Sequence, residues 1–386
     1  MRRSVALLGA TGSIGSQALD VLRREPESFE VIAIAGGRRL DQLASIAKEF
    51  NVTRIGVVDA SDREKLAALV GPEVQIVVGA EGLGELARSA DIVLNAVVGF
   101  AGLPVTMAAL EAGKRLALAN KESLIAAAPL VARVRSTPGA EILPVDSEHC
   151  AIHQCLATSI QRGHPDVRRL LLTASGGPFR GWSLDQLENV TKHDALQHPT
   201  WNMGPKITID SSTLMNKGLE VLEASALFGV EVDRISVVVH PQSIVHSMVE
   251  YVDGSVIAQL SRPDMRLPIA YCLGMPERLD HAWGAIDFTQ HLNLSFEAPD
   301  PVAFPALDLA YAAARRGGAA PAWLSAANEV AVDACLRDAL AWRDIVPTVA
   351  AVMEHYEDDP LDTLEDLQAN DQTARRLARD IVERAS

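Results

Sequence analysis

The sequence predicts an α/β protein that opens with a doubly wound parallel sheet, continues into a smaller α+β domain and ends in a bundle of helices. Three observations support this prediction. In the first third of the chain, short apolar strands alternate with helical stretches, which is the pattern of a parallel sheet covered by helices. Asp253-Gly254 then separates two strand-like runs and signals an antiparallel hairpin. Towards the C-terminus, apolar residues recur at helical spacing, as Leu307, Ala310 and Tyr311 do.

A glycine turn follows the first strand. The apolar run from residue 4 to residue 8 ends at Gly9, and Gly12 and Gly15 complete the pattern G-x-x-G-x-x-G before a helical stretch. The first two glycines would let the backbone approach a pyrophosphate, and the third would let the helix lie close to the strand. The helix N-terminus adds N–H groups and a positive dipole. Strand, glycine turn and helix in this order favour a Rossmann-type dinucleotide site over a tight turn without a ligand.

The second strand, residues 31 to 35, indicates which dinucleotide is bound. NAD sites usually place an Asp or Glu at the end of this strand, where it holds the ribose 2′-OH. Here no acidic residue occurs between Val31 and Leu40, and the strand runs towards Arg38 and Arg39. Two arginines suit the 2′-phosphate of NADP, so we expect NADPH to bind far better than NADH. A surface turn with two solvated arginines is the alternative.

Two carboxylates stand directly after another apolar run. Asp146 and Glu148 follow residues 142 to 145, and side chains two residues apart on a strand point the same way. They would aim at one place at the strand end, where ligands of open α/β sheets collect, and would repel each other unless a cation joined them. Oxygen ligands suit Mg2+ or Mn2+. A solvated turn is the alternative, and Glu220 is the candidate third carboxylate that favours the metal.

The segment from residue 207 to residue 220 combines small hydroxylated residues with an asparagine and a lysine. These hydroxylated residues, together with Asn216 and Lys217, could hold a phosphate, whose oxygens need several donors and a positive charge. Ordinary capping of a helix start by serine and threonine is the alternative.

The segment from residue 180 to residue 204 is polar and interrupted by glycine and proline, with His198, Trp201 and Met203 close to its end. Long irregular segments of this kind often form lids over an active site, so we expect a flap here, with a disordered connector as the alternative. The patterns along the whole chain predict four segments: an NADPH-binding domain, a catalytic domain that contains the flap, a linker and a C-terminal helical domain. Their expected ranges, in that order, are 1–146, 147–275, 276–301 and 302–386.

Composition excludes several classes of function. The 386-residue chain carries a formal net charge of −15, whereas a nucleic-acid-binding protein is usually basic. No apolar run approaches the ~20 residues of a membrane span. The four cysteines form no CxxC pair, so we expect neither a zinc site nor a disulfide framework. These features fit a cytoplasmic protein that binds neither nucleic acid nor membrane.

Eight sequence blocks carry a resemblance that covers essentially the whole chain. The blocks are GATGSIG (9–15), ANKESL (119–124), PVDSEH (144–149), TASGGPF (173–179), HPTWNMG (198–204), DSSTLMNKGLE (210–220), HPQSIVH (240–246) and PDMR (263–266). Through them the sequence resembles the 1-deoxy-D-xylulose 5-phosphate reductoisomerase family. The resemblance implies a homodimeric enzyme that uses NADPH and Mg2+ or Mn2+, with Co2+ as a third candidate. It would convert 1-deoxy-D-xylulose 5-phosphate to 2-C-methyl-D-erythritol 4-phosphate in the methylerythritol phosphate route to isoprenoids.

The same resemblance implies roles for individual residues. The expected metal ligands are Asp146, Glu148 and Glu220. The expected catalytic residues are Lys121, Glu148, His149, His198 and His246. The expected substrate contacts are Lys121, Ser147, Glu148, Ser175, His198, Trp201, Ser211, Asn216, Lys217 and Glu220. The expected cofactor contacts are Gly9, Thr11, Gly12, Ser13, Ile14, Gly37, Arg38, Arg39, Asn120, Glu122 and Gly204. The family often has asparagine in place of Arg39, which leaves open which arginine meets the 2′-phosphate.

The implied reaction has two stages. A metal chelated by the substrate carbonyl and a neighbouring hydroxyl acts as a Lewis acid while the carbon skeleton rearranges to an aldehyde, and NADPH then reduces that aldehyde. A retroaldol/aldol route and a concerted shift both remain open for the rearrangement.

Two other functions compete with this one. An NADP-dependent semialdehyde dehydrogenase also opens with a GATG-type turn, but it requires a nucleophilic cysteine, and Cys150 has no evident partner in the sequence. A non-catalytic NADP-sensing protein would leave the carboxylates and the phosphate-suited segment unexplained.

Overall fold

The computed structural model describes residues 2–157, 166–201, 203–358 and 361–385, and the chain divides into two compact units. The first unit consists of Met1–Leu124, Val131–Cys150 and Asp264–Trp283. The second unit consists of Ile125–Leu130, Ala151–Pro263 and Gly284–Ser386.

Strands and helices alternate through the first part of the chain and helices dominate its end. The strands are β1 (Arg3–Leu8), β2 (Phe29–Gly36), β3 (Arg54–Val57), β4 (Gln75–Val78), β5 (Ile92–Asn95), β6 (Arg115–Leu118), β7 (Glu141–Pro144), β8 (Val167–Ala174), β9 (Ile235–Val239), β10 (Val245–Tyr251) and β11 (Val256–Leu260). The α-helices are α1 (Ser13–Arg24), α2 (Leu40–Glu49), α3 (Asp62–Leu69), α4 (Gly79–Ser89), α5 (Leu103–Glu111), α6 (Lys121–Ala126), α7 (Ala128–Val134), α8 (Ser147–Cys155), α9 (Leu184–Leu187), α10 (Lys192–Ala195), α11 (Pro205–Ser212), α12 (Met215–Phe228), α13 (Arg266–Gly274), α14 (Ala306–Arg316), α15 (Ala320–Leu336), α16 (Ile345–Met353) and α17 (Leu364–Ala385).

The first unit is built on a seven-stranded parallel sheet in the order β4-β3-β2-β1-β5-β6-β7. Val5 to Leu8 are fully buried, as expected for a strand covered by helices on both faces. The strand order reverses between β1 and β5, and ligands of such sheets bind beside this reversal at the carboxyl ends of the strands. The predicted doubly wound sheet is therefore confirmed.

The stretch from Asp264 to Trp283 packs into this same unit, although the expected ranges place it in the catalytic domain and the linker. Tyr271, Cys272 and Trp283 are all buried in the core beneath the parallel sheet. The guanidinium of Arg3 donates to the Met275 carbonyl at 3.0 Å. The apolar pattern of α13 predicts a buried helix but contains no information about which core buries it, so the compact unit differs from the expected boundary.

The second unit contains a four-stranded sheet in the order β11-β10-β8-β9. Strand β10 is antiparallel to β11 and to β8, whereas β9 runs parallel to β8. The hairpin predicted at Asp253-Gly254 joins β10 to β11 and pairs Val249 with Ile257. Helices α12 and α14 cover the sheet through residues such as Val221 and Leu307. The predicted α+β character is confirmed.

Four helices close the chain, as the periodicity predicts. Helix α15 begins at Ala320, and Pro321 occupies its first turn, where a missing N–H costs nothing. The guanidinium of Arg375 on α17 pairs with Glu329 and Asp371, both at 2.7 Å. Among the described residues, no helix combines the length and the apolar character that crossing a membrane requires.

Candidate active site

The glycine turn has the geometry that its sequence predicts. Gly9 has φ +97°, and a Cβ atom there would lie 2.3 Å from the carbonyl oxygen of Ala96. A Cβ atom on Gly15 would lie 2.3 Å from the carbonyl oxygen of Gly9, so the start of α1 presses directly on the turn. Helix α1 begins at Ser13, which places its N–H groups beside the carboxyl end of β1. Only glycine fits these two positions, and the turn brings the N-terminus of α1 to the end of β1.

The two arginines after β2 have different surroundings. The guanidinium of Arg39 donates a short hydrogen bond to the carbonyl oxygen of Thr11, within the glycine turn. Arg38 is exposed and lies just beyond the end of β2 at Gly36. Both arginines are exposed, and Arg39 in addition contacts the glycine turn.

A buried polar network shapes the loops after β5 and β6. The Asn120 side-chain amide donates to the carbonyls of Val97 and Gly99 at 2.7 and 2.8 Å, and its oxygen accepts from the Ser123 N–H at 3.0 Å. Asn95 donates to the Gly102 carbonyl at 2.9 Å. The side chain of Asn120, an expected cofactor contact, thus holds two loops together.

Sequence reasoning missed Asn95. The only sequence signal is a polar residue that ends the apolar run of β5. Glu122, another expected cofactor contact, is buried in the first turn of α6, and its carboxylate accepts from the Asn120 amide at 3.3 Å.

Asp146 is the centre of an ion-paired cluster at the end of β7. Its carboxylate lies 2.8 Å from Lys121 Nζ and 3.1 Å from His149 Nδ1, and it accepts from the Glu148 N–H at 3.2 Å. Burial would raise the pKa of Asp146, but the positive charge of Lys121 and the hydrogen bonds from His149 and Lys121 hold that pKa well below its usual range. The carboxylate is therefore ionised.

The strand-alternation argument for Asp146 and Glu148 is wrong. Strand β7 ends at Pro144, and α8 begins at Ser147, so Glu148 lies in the first turn of a helix. Asp146 takes the N-cap role, because its side chain accepts a backbone N–H from that first turn. The Ser147 hydroxyl donates to the Glu148 carboxylate at 2.5 Å.

Ser175 and His198 meet in the second unit. His198 Nδ1 accepts from the Thr200 and Trp201 N–H groups at 3.1 and 2.9 Å, so its proton resides on Nε2, which lies 3.0 Å from Ser175 Oγ. Burial lowers the pKa of His198 to about 4, so the imidazole is neutral at neutral pH. Ser175 Oγ also accepts from the Gly177 N–H at 3.2 Å.

The expected phosphate residues lie at the junction of α11 and α12. Leu214, with φ +60°, turns the chain sharply between the two helices. On α12, Asn216 donates to one carboxylate oxygen of Glu220 at 2.6 Å, and Lys217 Nζ lies 2.5 Å from the other. Glu220 and Lys217 are buried, and Ser211 is half-buried near the end of α11. Two expected phosphate ligands therefore converge on an expected metal ligand.

The expected flap is more ordered than its sequence predicts. It contains α9 and α10, which begin with capping boxes at Ser183 and Thr191, and Gly204 caps the start of α11. The rings of Trp201 and His246 have their centroids 6.1 Å apart, and His246 Nε2 lies 3.2 Å from the Ser261 carbonyl. Residue 202 of this segment lies outside the described residues.

Comparison with known proteins agrees with this architecture. The parallel sheet with its glycine turn defines a Rossmann-type dinucleotide-binding enzyme. A family model described as 1-deoxy-D-xylulose 5-phosphate reductoisomerase matches residues 5–128, and two models of that enzyme's C-terminal domains match residues 142–228 and 260–377. The chain belongs to the 1-deoxy-D-xylulose 5-phosphate reductoisomerase family.

Individual relatives extend the match over the full length. The reductoisomerase of Chlorobaculum tepidum is 49% identical, over 98% of this chain and 100% of its own. That of Thermosynechococcus vestitus is 45% identical, over 99% of this chain and 94% of its own.

Solved structures of the family also align along the whole chain. The Zymomonas mobilis enzyme in complex with NADPH aligns with a TM-score of 0.91 at 44% identity, covering 99% of this chain and 100% of its own. A DOX-P reductoisomerase in complex with NADPH, fosmidomycin and magnesium aligns with a TM-score of 0.92 at 42% identity, covering 99% and 98%.

Proposed function

We propose that this chain catalyses the NADPH-dependent and divalent-metal-dependent conversion of 1-deoxy-D-xylulose 5-phosphate to 2-C-methyl-D-erythritol 4-phosphate, as a step of isoprenoid biosynthesis. The observation that carries the proposal is the match to reductoisomerases along the entire chain. In this proposal the glycine turn binds NADPH, the carboxylates bind the metal, and the segment from residue 207 to residue 220 binds the substrate phosphate.

The cofactor site comprises the glycine turn and the loops at the ends of β2 and β6. Arg38 binds the 2′-phosphate in this proposal: both arginines are exposed, but the guanidinium of Arg39 also donates to the Thr11 carbonyl and is therefore held against the turn. Arg39 supports cofactor binding indirectly, by holding the glycine turn through the Thr11 carbonyl. The remaining cofactor residues are those expected from the resemblance, namely Gly9, Thr11, Gly12, Ser13, Ile14, Gly37, Asn120, Glu122 and Gly204.

Asp146, Glu148 and Glu220 are the proposed metal ligands. Three carboxylates suit a hard divalent cation such as Mg2+ or Mn2+, and the lowered pKa of Asp146 keeps at least this ligand ionised at neutral pH. When bound, the metal supplies Lewis-acid polarisation of the substrate carbonyl and a neighbouring hydroxyl, and NADPH supplies the hydride. Lys121 and His149 orient Asp146 through its carboxylate oxygens.

The phosphate pocket is proposed to consist of Ser175, Ser211, Asn216 and Lys217. Ser175 Oγ accepts hydrogen bonds from His198 and from the Gly177 N–H, which fills the acceptor capacity of a hydroxyl. Its own proton is then directed outward as a donor, which suits an anionic ligand. Lys217 adds the positive charge that a phosphate needs.

Trp201, His198 and His246 form the proposed cover of the substrate. His198 accepts hydrogen bonds from two backbone N–H groups, which fixes the turn from His198 to Trp201. The Trp201 ring contacts the His246 ring. A short turn held in this way can move as one piece over the substrate and exclude water. Ser147, beside the carboxylates, is a further proposed substrate contact.

A homodimer located in the cytoplasm completes the proposal. Strand β11 is an edge strand of its sheet, and its Val256 and Ile257 side chains are 51% and 44% exposed. Edge strands with exposed apolar side chains favour pairing with a second chain. None of the four cysteines forms a disulfide, which fits the cytoplasm. Light scattering should give twice the mass of one chain, and Ile257→Lys should shift the protein to monomer; a monomeric wild type would contradict the dimer.

A semialdehyde dehydrogenase is disfavoured by the thiols. All four cysteines are buried, and burial raises the pKa of Cys272 and Cys335. A nucleophilic cysteine needs the opposite, namely access and a lowered pKa.

The proposal is tested by following NADPH oxidation with 1-deoxy-D-xylulose 5-phosphate and Mn2+, with product identification by NMR. We expect turnover that requires both the sugar phosphate and the metal and yields 2-C-methyl-D-erythritol 4-phosphate. NADPH binding without turnover on this substrate would contradict the proposal and would favour the sensing protein.

A further inference from the structure

Ser211 lies between two neighbours that are anchored to distant residues. Asp210 is 1% exposed and accepts at Oδ1 from Asn328 Nδ2 at 2.8 Å. Ser212 is also 1% exposed and accepts at Oγ from Trp342 Nε1 at 2.7 Å. The anchoring residues are 118 and 130 positions further along the chain, on α15 and at the turn that precedes α16.

The anchor at Asp210 has a defined orientation. Asn328 is fully buried, and a reversed amide would set its oxygen against the Asp210 carboxylate, so Asp210 determines which end of the amide faces it. The other carboxylate oxygen of Asp210 lies 2.8 Å from Lys206 Nζ, one helical turn earlier. A buried carboxylate with two such partners fixes the last turn of α11 in position.

The anchor at Ser212 also involves the loop that carries Ser175. The Trp342 ring packs edge-on against Phe179, with centroids 5.0 Å apart. Phe179 follows Gly177, where a Cβ atom would lie 2.7 Å from the Ser211 carbonyl oxygen. Trp342 therefore contacts both stretches of chain that carry the proposed phosphate ligands Ser175 and Ser211.

We propose that Trp342 and Asn328 are positioning residues for the phosphate end of the substrate. They hold the last turn of α11 so that Ser211 stays in register with the loop of Ser175. This inference rests on the proposed function of Ser211 as a phosphate ligand. Small displacements of positioned groups are costly, because binding energy from a remote phosphate is available for catalysis only while its donors remain in place.

The test uses Trp342→Phe, which removes the N–H donor and keeps an aromatic ring of smaller size. Trp323→Phe is a matched control, because Trp323 is 2% exposed and its Nε1 donates to Asn370 at 2.6 Å, within the C-terminal helices. Trp342→Phe should raise KM for 1-deoxy-D-xylulose 5-phosphate about tenfold, the effect of one buried hydrogen bond. It should leave kcat/KM for unphosphorylated 1-deoxy-D-xylulose unchanged. Trp323→Phe should leave both substrates unchanged, with a similar melting temperature.

A double-mutant cycle sharpens the test. Ser212→Ala removes the acceptor and should raise KM by a similar factor. The double variant should be no worse than either single one, since both remove the same bond. Asn328→Ala should show the same selectivity for the phosphorylated substrate through the second anchor.

Ser211→Ala distinguishes a failure of the phosphate assignment from a failure of the positioning inference. If it leaves KM for the phosphorylated substrate unchanged, the phosphate assignment of Ser211 fails, and the positioning inference fails with it. If Ser211→Ala raises KM while Trp342→Phe and Asn328→Ala do not, the proposed function stands and the positioning inference is overturned. Equal losses on both substrates in Trp342→Phe would also overturn it, because they would indicate a purely structural role.

Discussion

The glycine turn and the segment from Asp210 to Glu220 both carry proposed ligand contacts, but different forces fix them. The turn depends on glycine backbone: Gly9 has φ +97°, and a Cβ atom there would collide with the Ala96 carbonyl. The segment is held by side chains that lie more than 100 positions away, through Asn328 and Trp342. The glycine turn is thus recognisable from its own residues, whereas the segment depends on side-chain pairings between distant parts of the second unit.

The largest expected effect is a loss of kcat in Glu220→Gln, with NADPH binding nearly unchanged. Glu220→Gln keeps the size of the side chain and removes its charge, so kcat should fall by roughly two to three orders of magnitude, as when one essential electrostatic contact is lost. KM for NADPH should stay within about twofold of wild type. The melting temperature should fall, because buried Lys217 loses a charged partner at 2.5 Å.

Steady-state kinetics at low Mn2+ checks this prediction. Glu365→Gln is the matched control, since Glu365 is exposed on the first turn of α17. Wild-type kcat in Glu220→Gln would remove Glu220 from the metal site.

The second expected effect distinguishes the roles of Arg38 and Arg39 in cofactor binding. Arg38→Ser should raise KM for NADPH by about 10- to 100-fold and leave that for NADH unchanged, because only NADPH has the 2′-phosphate. Arg39→Ser should weaken both cofactors alike, since Arg39 acts on the Thr11 carbonyl of the turn. Kinetics with both cofactors distinguishes the two variants. A selective loss of NADPH in Arg39→Ser alone would exchange the two roles.

Local signals explain what could be predicted from sequence. Glycines at fixed spacing predict the turn, and the start of α1 at Ser13 follows from it. Apolar periodicity predicts the parallel sheet, and Asp253-Gly254 predicts the hairpin, because each pattern is complete within a few residues.

Long-range pairings explain what could not be predicted. Asn328 lies within an apolar helical stretch, where nothing in the sequence indicates that it bonds Asp210. The packing of Trp283 in the first unit also cannot be predicted from the sequence, because the turn-rich stretch around it does not indicate which core it joins. Asp146 is different, because an Asp directly before a helix is a common N-cap and its sequence position therefore carries a local signal.

The free energy of unfolding tests whether the glycine turn requires glycine at position 9. Gly9→Ala combines a positive φ with a clash, whereas Gly254→Ala has φ +85° and no atom within 4 Å of the added Cβ. Gly254→Ala should therefore cost about 1–2 kcal/mol in free energy of unfolding, the cost of the left-handed conformation. Gly9→Ala should cost clearly more and weaken NADPH binding. Equal costs in urea unfolding would mean that the turn yields to the extra atom.

The smallest expected effect concerns pH and the substrate end. The pKa of His198 in the folded chain is about 4, below its ordinary 6.5, so the unfolded chain binds more protons between these values. The contribution of His198 to stability should therefore be fully present above about pH 6.5 and be lost as the pH drops towards 4. His198→Asn should lose part of this fall in melting temperature, with exposed His193→Asn as the control. An unchanged pH profile in His198→Asn would contradict the role of burial.

The central claim is that the cofactor turn and the metal carboxylates are separate sites. In the parallel sheet, β5 and β6 lie between β1, which leads into the turn, and β7, which leads into Asp146. Three strand spacings amount to roughly 14 Å. The most direct test is fluorescence titration of NADPH into EDTA-treated protein, alongside turnover of 1-deoxy-D-xylulose 5-phosphate. We predict that turnover is abolished while the NADPH Kd changes by less than about twofold. Loss of NADPH binding together with turnover would contradict the account.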